Sequence, residues 1–159
     1  MSQLLLSEKP SVSQISCLAI NLGEMELLAP ISAVAEIIPF RKPLPYQGAD
    51  WVVGAVQWRK LQIPVVDFLK LDGVVQGTEQ DDQAKLLIFN CMSNHRWFEY
   101  YAVVTRGFPQ SRFIHSDQAL EDAGAVSDFV RHSVVIDDRP YSLIDLEAVE
   151  ARLEQDYFL

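Results

Sequence analysis

The chain has 159 residues, 49% of them apolar and 22% charged, the composition of a soluble globular domain long enough to bury a substantial core. Thirteen Lys/Arg against 22 Asp/Glu leave a net charge of −9, unevenly placed: residues 1–72 carry six basic and seven acidic residues, residues 73–159 seven and fifteen. So acidic a second half repels phosphate backbones and argues against nucleic-acid binding, and no apolar run reaches the roughly 20 residues of a membrane span.

Leu4, Leu5 and Leu6 form too short a block for a signal peptide, and Glu8 follows, so the expected location is cytoplasmic. Residues 1–13, polar and serine-rich around Pro10, read as a flexible arm ahead of a domain spanning 14–154, with 155–159 as a tail. Strands are expected at 15–22 and 25–29, joined by a tight turn at Gly23 and Glu24. Ile31, Val34 and Ile38 then fall at i, i+3 and i+7, the spacing of one or two helical turns, which Pro39 would end. Three prolines, Gly48 and the basic pair Arg41 and Lys42 mark 39–50 as an ordered loop.

The clearest unit follows. Residues 51–58 and 61–68 are two apolar runs rich in Val, Ile and Trp on either side of Arg59 and Lys60, a β-hairpin with a cationic tip. Leu61, Ile63 and Val65 share one face, Gln62 and Pro64 the other. Because Pro64 has no N–H, its strand should lie at an edge or pair on one side only at that point. The polar, glycine-containing stretch 72–82 reads as a connector, with a boundary between two lobes near 72–83.

Beyond it, strands are expected at 85–92 and 97–105 around a turn at 93–95, an irregular stretch at 108–120, and a short helical turn at 117–123. Residues 129–136 and 141–144 flank a hairpin turn at Asp137, Asp138, Arg139 and Pro140. Asp145 stands where it would cap a closing helix to about Glu154, with Leu146, Val149 and Leu153 on one face. The apolar end, Tyr157, Phe158 and Leu159, is expected to pack back on its own domain. Many short strands with turns between them predict an all-β domain of small barrels with little helix.

Chemistry is thin along the chain. Cys17 and Cys91 sit in apolar strand-like runs and read as buried free thiols, and neither they nor His95, His115 and His132 show metal-ligand spacing. No glycine-rich phosphate loop or Gly-x-Ser-x-Gly elbow is present. Asp137 and Asp138 read as the polar tip of a hairpin rather than a general acid/base pair, since neighbouring side chains in a strand would point apart, and Asp67 is placed to bond loop backbone. The reading is therefore no enzyme, no catalytic residue, no metal and no cofactor. The candidates for binding are Arg59 with Lys60, Arg41 with Lys42, Glu36, Trp51 and Trp58, for the two tryptophans beside a core-packing role. Arg59 leads: a guanidinium on a rigid tip suits bidentate pairing with a partner's carboxylate or carbonyls.

These residues resemble the CheW-like family, the adaptor domains of bacterial chemosensory arrays. Residues 25–40 (MELLAPISAVAEIIPF) resemble the family's strand followed by "I-x-x-V-x-E-I", with Ile31, Val34, Glu36 and Ile37 in place. Residues 51–68 resemble "G-V-x-N-x-R-G-x-x-x-P-V-x-D-L" through Gly54, Val56, Arg59, Pro64, Val65 and Asp67. Residues 134–153 resemble the closing "x-D-G-R-x-x-x-L-x-D-x-x-x-L-L". The resemblance implies two small five-stranded SH3-like barrels side by side, a short C-terminal helix and no catalysis. It also implies a bridge between a chemoreceptor's cytoplasmic tip, met at the groove between the barrels, and the regulatory domain of a CheA-type histidine kinase, met at the barrel ends. By motif, Arg59 and Glu36 are the implied contact residues, with Val34, Ile37 and Ile38 lining the surface nearby and Lys60 and Arg41 beside them.

The chain departs from the pattern at Gln57 and Lys60, which stand where the family has Asn and Gly, and at residues 97–101 (WFEYY). A two-residue hairpin turn favours positive φ, so either Lys60 is strained or the turn has another shape. These departures point to a specialised branch such as the accessory adaptors of type IV pilus (twitching motility) systems. Two other classes stay open: a small-ligand sensor with Trp51, Trp58 or Trp97 in the wall of the inter-barrel groove, and a hydrolase pairing Asp67 with Glu36.

Overall fold

A computed structural model describes residues 14–94, 97–115, 120–121 and 127–158. The 1–13 arm, His95, Leu159 and most of the 117–123 stretch lie outside the described residues. In chain order the elements are β1 (Gln14–Asn21), β2 (Glu26–Pro30), a 3-10 turn (Ile31–Ala33), β3 (Val34–Pro39), β4 (Leu44–Pro45), β5 (Val52–Trp58), β6 (Leu61–Val66), α1 (Phe68–Leu71), β7 (Ala84–Asn90), β8 (Tyr100–Arg106), β9 (Gln110–His115), β10 (Leu120–Glu121), β11 (Val130–Ile136), β12 (Arg139–Ile144), α2 (Leu146–Leu153) and a π-helical turn (Glu154–Phe158). They form two sheets, ordered β10-β11-β12-β2-β1-β9 and β3-β7-β8-β6-β5-β4. Each holds five full strands and one of two residues, and each curls over its own apolar cluster, as the barrel reading expects.

Three expectations need correction. The spacing of Ile31, Val34 and Ile38 is not helical: after one 3-10 turn the chain runs straight into β3, which pairs with β7. Residues 108–120 are not irregular, because Gln110–His115 pairs along its whole length with residues 14–19 of β1, and Leu120 and Glu121, read as part of a helical turn, pair with β11. The 72–83 connector does not separate the lobes, since β7 and β8 beyond it join β3 and β6. The sheets instead divide the chain into an inner segment, β3 to β8, and two outer segments that close the first sheet through a parallel pairing of β12 with β2.

The apolar residues sort into three cores. Ile38, Val56, Trp58, Ile63 and Val65 belong to the cluster of the second sheet, and Cys17, Ala19, Leu28, Val134, Ile136 and Tyr141 to that of the first. Between them lies the largest cluster, which takes Ile20, Leu27 and Ala29 from the first sheet, Val52, Leu87, Phe89 and Val103 from the second, and residues of both helices. Asp145 caps α2 as its position predicts, accepting from Ala148 N at 3.1 Å. The end of the chain packs back: Phe158 stacks on Phe98 with ring centroids 4.6 Å apart, and Tyr157 meets Tyr46 at 4.9 Å.

Candidate protein-interaction surface

β5 and β6 pair from Val52 opposite Val66 to Trp58 opposite Leu61, leaving Arg59 and Lys60 as a two-residue turn. Their φ angles are +48° and +66°, the left-handed pair that a type I′ turn requires and that Asn and Gly usually supply. The turn shape is thus the ordinary one, and the strain falls on both residues. Pro64 sits opposite Ala55 of β5, just before β6 begins to pair with β8 at Val65, so its missing N–H costs no ladder bond on the β8 side.

The tip is braced from below. Trp58 is only 4% exposed, and its indole N–H donates to Glu36 Oε1 at 3.0 Å. The Arg59 guanidinium lies over the Trp58 ring, 4.6 Å from its centroid, and its Nη2 reaches the same Glu36 oxygen at 3.4 Å. Glu36 is brought there by a register shift in β3 between Val34 and Glu36. The side chains of Arg59 and Glu36 are 65% and 42% exposed, so the ion pair contributes at most about 1 kcal/mol to stability. What it does is orient: Trp58 and Glu36 together position the guanidinium, and most of its side chain stays open to solvent for a partner.

The other candidates part company. Val34 and Ile37 are half-buried against the shared core, whereas Ile38, 8% exposed, points into the second sheet's own cluster. Arg41 and Lys60 meet Lys42 in a groove over β4 to β6. Trp51, 6% exposed, is a core residue. Leu61, which the strand pattern places on one face with Ile63 and Val65, is 44% exposed beside the tip, an apolar surface position.

Asp67 is 2% exposed and spends its carboxylate on structure, capping α1 through Lys70 N and accepting from Thr78 N and Thr78 Oγ1; it shares no hydrogen-bond partner with Glu36. Among the described residues no group of three or more His, Cys, Asp or Glu is placed to hold a metal ion, and no helix is long and apolar enough to cross a membrane. Cys17 and Cys91 are both free thiols, and burial raises the pKa of each, Cys91 to about 12 with Glu150 and Glu99 adding to the shift.

The CheW-like domain model matches residues 16–154. A crystal structure of the scaffolding protein TtCheW from Thermoanaerobacter tengcongensis superposes with a TM-score of 0.70 at 17% identity, covering 84% of this chain and 86% of that one, a likeness of fold. Comparison with curated protein sequences gave no match. With the family model running from β1 to the end of α2, the chain belongs to the CheW-like domain family.

Proposed function

We propose that this protein is a non-enzymatic cytoplasmic adaptor that couples a chemoreceptor's cytoplasmic tip to a CheA-type histidine kinase in chemosensory signalling, within the branch that serves type IV pili. The observation that carries the reading is the Arg59–Glu36–Trp58 unit. Two residues singled out by separate motifs, 23 positions apart in sequence, form one exposed and pre-oriented pair on the rigid hairpin. Such a pair suits a partner surface offering carboxylates or carbonyl oxygens, with Leu61 as its apolar neighbour and Val34 and Ile37 behind it. Modest affinity suffices, because an array multiplies weak contacts.

The test is co-elution of the purified protein with receptor signalling tip and with the kinase's regulatory domain, wild type beside Arg59→Glu. The expected result is that wild type retains both partners and the variant loses the receptor alone, with an unchanged circular dichroism spectrum. Retention of neither partner by the wild type would overturn the coupling role.

One observation favours a small-ligand sensor as the second reading. Leu61, Ile63, Trp97, Phe98, Tyr100 and Phe158 line an aromatic pocket of about 360 Å³ at the second sheet. Trp97, 53% exposed, would report occupancy there by fluorescence quenching, whereas Trp51 and Trp58 are buried in cores.

A further inference from the structure

We propose that the outer face of β4, β5 and β6 is a second docking site, distinct from the Arg59 pair, and that it takes an acidic, extended segment of a partner protein. In these strands Val56, Trp58, Ile63 and Val65 point into the sheet's own cluster, while Gln57 and Gln62 pair across the ladder on the opposite, open face. That face forms a groove of about 480 Å³ whose lining includes Arg41, Lys42, Lys60, Gln57, Gln62 and Leu44. β4 runs antiparallel to β5 with Leu44 opposite Ala55, so Lys42 and Arg41, which precede it, lie toward the end of β5 that carries Lys60. Three cations therefore converge on one trough from two segments.

The charge balance of the chain makes this concentration informative. The net charge is −9, yet no carboxylate lines the groove. Arg59, Arg106, Arg131, Arg139 and Arg152 each have a carboxylate partner, but among the described residues no carboxylate is within ion-pair distance of Arg41, Lys42 or Lys60. Unpaired cations that the fold itself does not use are available to a ligand of opposite charge.

The rest of the lining selects the class of ligand. Leu44 is 64% exposed at the rim, an apolar contact a small anion would not use, and the glutamine pair offers amide donors and acceptors matched to a peptide backbone. Pro43 and Pro45 flank Leu44 and have no N–H, so the β4 edge is a poor template for strand addition; recognition runs through side chains on the face. Gly54 keeps β4 in place, because a side chain there would collide with the Leu44 carbonyl oxygen. Gln57 and Lys60 are also positions where the hairpin departs from the family motif.

The experiment is fluorescence anisotropy of the full chain with a fluorescein-labelled, glutamate-rich peptide carrying one leucine, beside the same peptide with glutamine for glutamate. The acidic peptide is expected to bind at low ionic strength despite the protein's net negative charge, and the neutral one not to. Lys42→Glu and Lys60→Glu should each weaken binding by about tenfold, while Arg112→Glu, an equal change of net charge on β9 of the other sheet, should leave it unaltered, with circular dichroism unchanged throughout. Absence of binding, or equal loss in all three variants, would overturn the site. Displacement by inorganic phosphate at the peptide's own concentration, or binding of phosphatidylglycerol vesicles in place of the peptide, would overturn the assignment of its ligand.

Discussion

Lys60, at φ +66°, adopts a conformation that costs a residue with a Cβ about 1–2 kcal/mol and glycine almost nothing. Part of that gain is offset by the larger backbone entropy of glycine in the unfolded chain, so Lys60→Gly should stabilise the fold by a net ~0.5–1 kcal/mol, read as a higher urea midpoint at unchanged slope. A lower midpoint would mean that the lysine side chain makes contacts worth more than the strain. Glu36 allows a similar separation of effects. Glu36→Ala leaves the buried Trp58 N–H without its acceptor and should cost about 1–3 kcal/mol, whereas Glu36→Gln keeps an amide oxygen for the indole and should cost less than half of that. Equal losses in the two variants would show that charge, not the hydrogen bond, holds the tip. The motif named Arg59 and Glu36, but not that Trp58 joins them. A tryptophan in an apolar run reads as core, and here it is core at the ring and a polar anchor at the nitrogen.

At the scale of elements, legibility followed burial. β5 and β6 were readable because Val, Ile and Trp fill two short runs on either side of a two-residue turn, even though Val52 and Val66 meet the shared core while Val56 and Val65 meet the second sheet's cluster. β9 was missed because Gln110–His115 is an edge strand with no buried position, so it carries no apolar alternation to detect. β3 was misread for the opposite reason: Ile37 meets the shared core and Ile38 the second sheet's cluster, and a strand with apolar contacts on both faces imitates the spacing of a helix. The loop after β7 hangs on a residue that no pattern marks. Glu150 of α2, fully buried, accepts from Met92 N at 2.8 Å, Ser93 N at 2.9 Å and the Tyr101 hydroxyl at 3.2 Å. Burial, with Glu150 and Glu99 beside it, pushes the Cys91 thiol from its ordinary 9.0 to about 12, and burial and Glu150 raise the Tyr101 hydroxyl as well. The unfolded chain therefore releases the thiol proton near 9.0 while the native state keeps it, so rising pH favours unfolding. The contribution is intact below pH 9.0 and lost progressively toward 12. Urea midpoints should fall across this window, and Cys91→Ala should make the fall shallower without abolishing it, since Cys17 and Tyr101 shift in the same direction. A midpoint flat to pH 11 would contradict the assignment.

For the whole molecule, the decisive feature is that the largest of the three cores belongs to neither sheet. Among the described residues it holds 22 buried ones against nine and six in the clusters of the single sheets. A sequence read from one end to the other suggests two successive lobes, because a polar connector at 72–82 looks like a boundary; nothing local announces that β1 and β2 will close a sheet with β9 to β12 across the 79 residues between β2 and β9. The consequence is cooperativity. Trp51 lies in the shared core and Trp58 in the second sheet's cluster, and none of the three tryptophans lies in the first sheet's cluster, so tryptophan emission does not sense that cluster melting on its own. Leu28 is fully buried in the first sheet's cluster, where Leu28→Ala should cost about 2–5 kcal/mol. If the shared core joins the two sheets into one folding unit, that substitution will lower the urea midpoint seen by tryptophan emission as much as the midpoint seen by far-ultraviolet circular dichroism, and the two transitions will coincide in both proteins. Independent lobes would instead leave the emission transition where it was while part of the dichroism signal melted early. Coincidence of the two curves therefore tests whether the shared core makes the two sheets one cooperative unit.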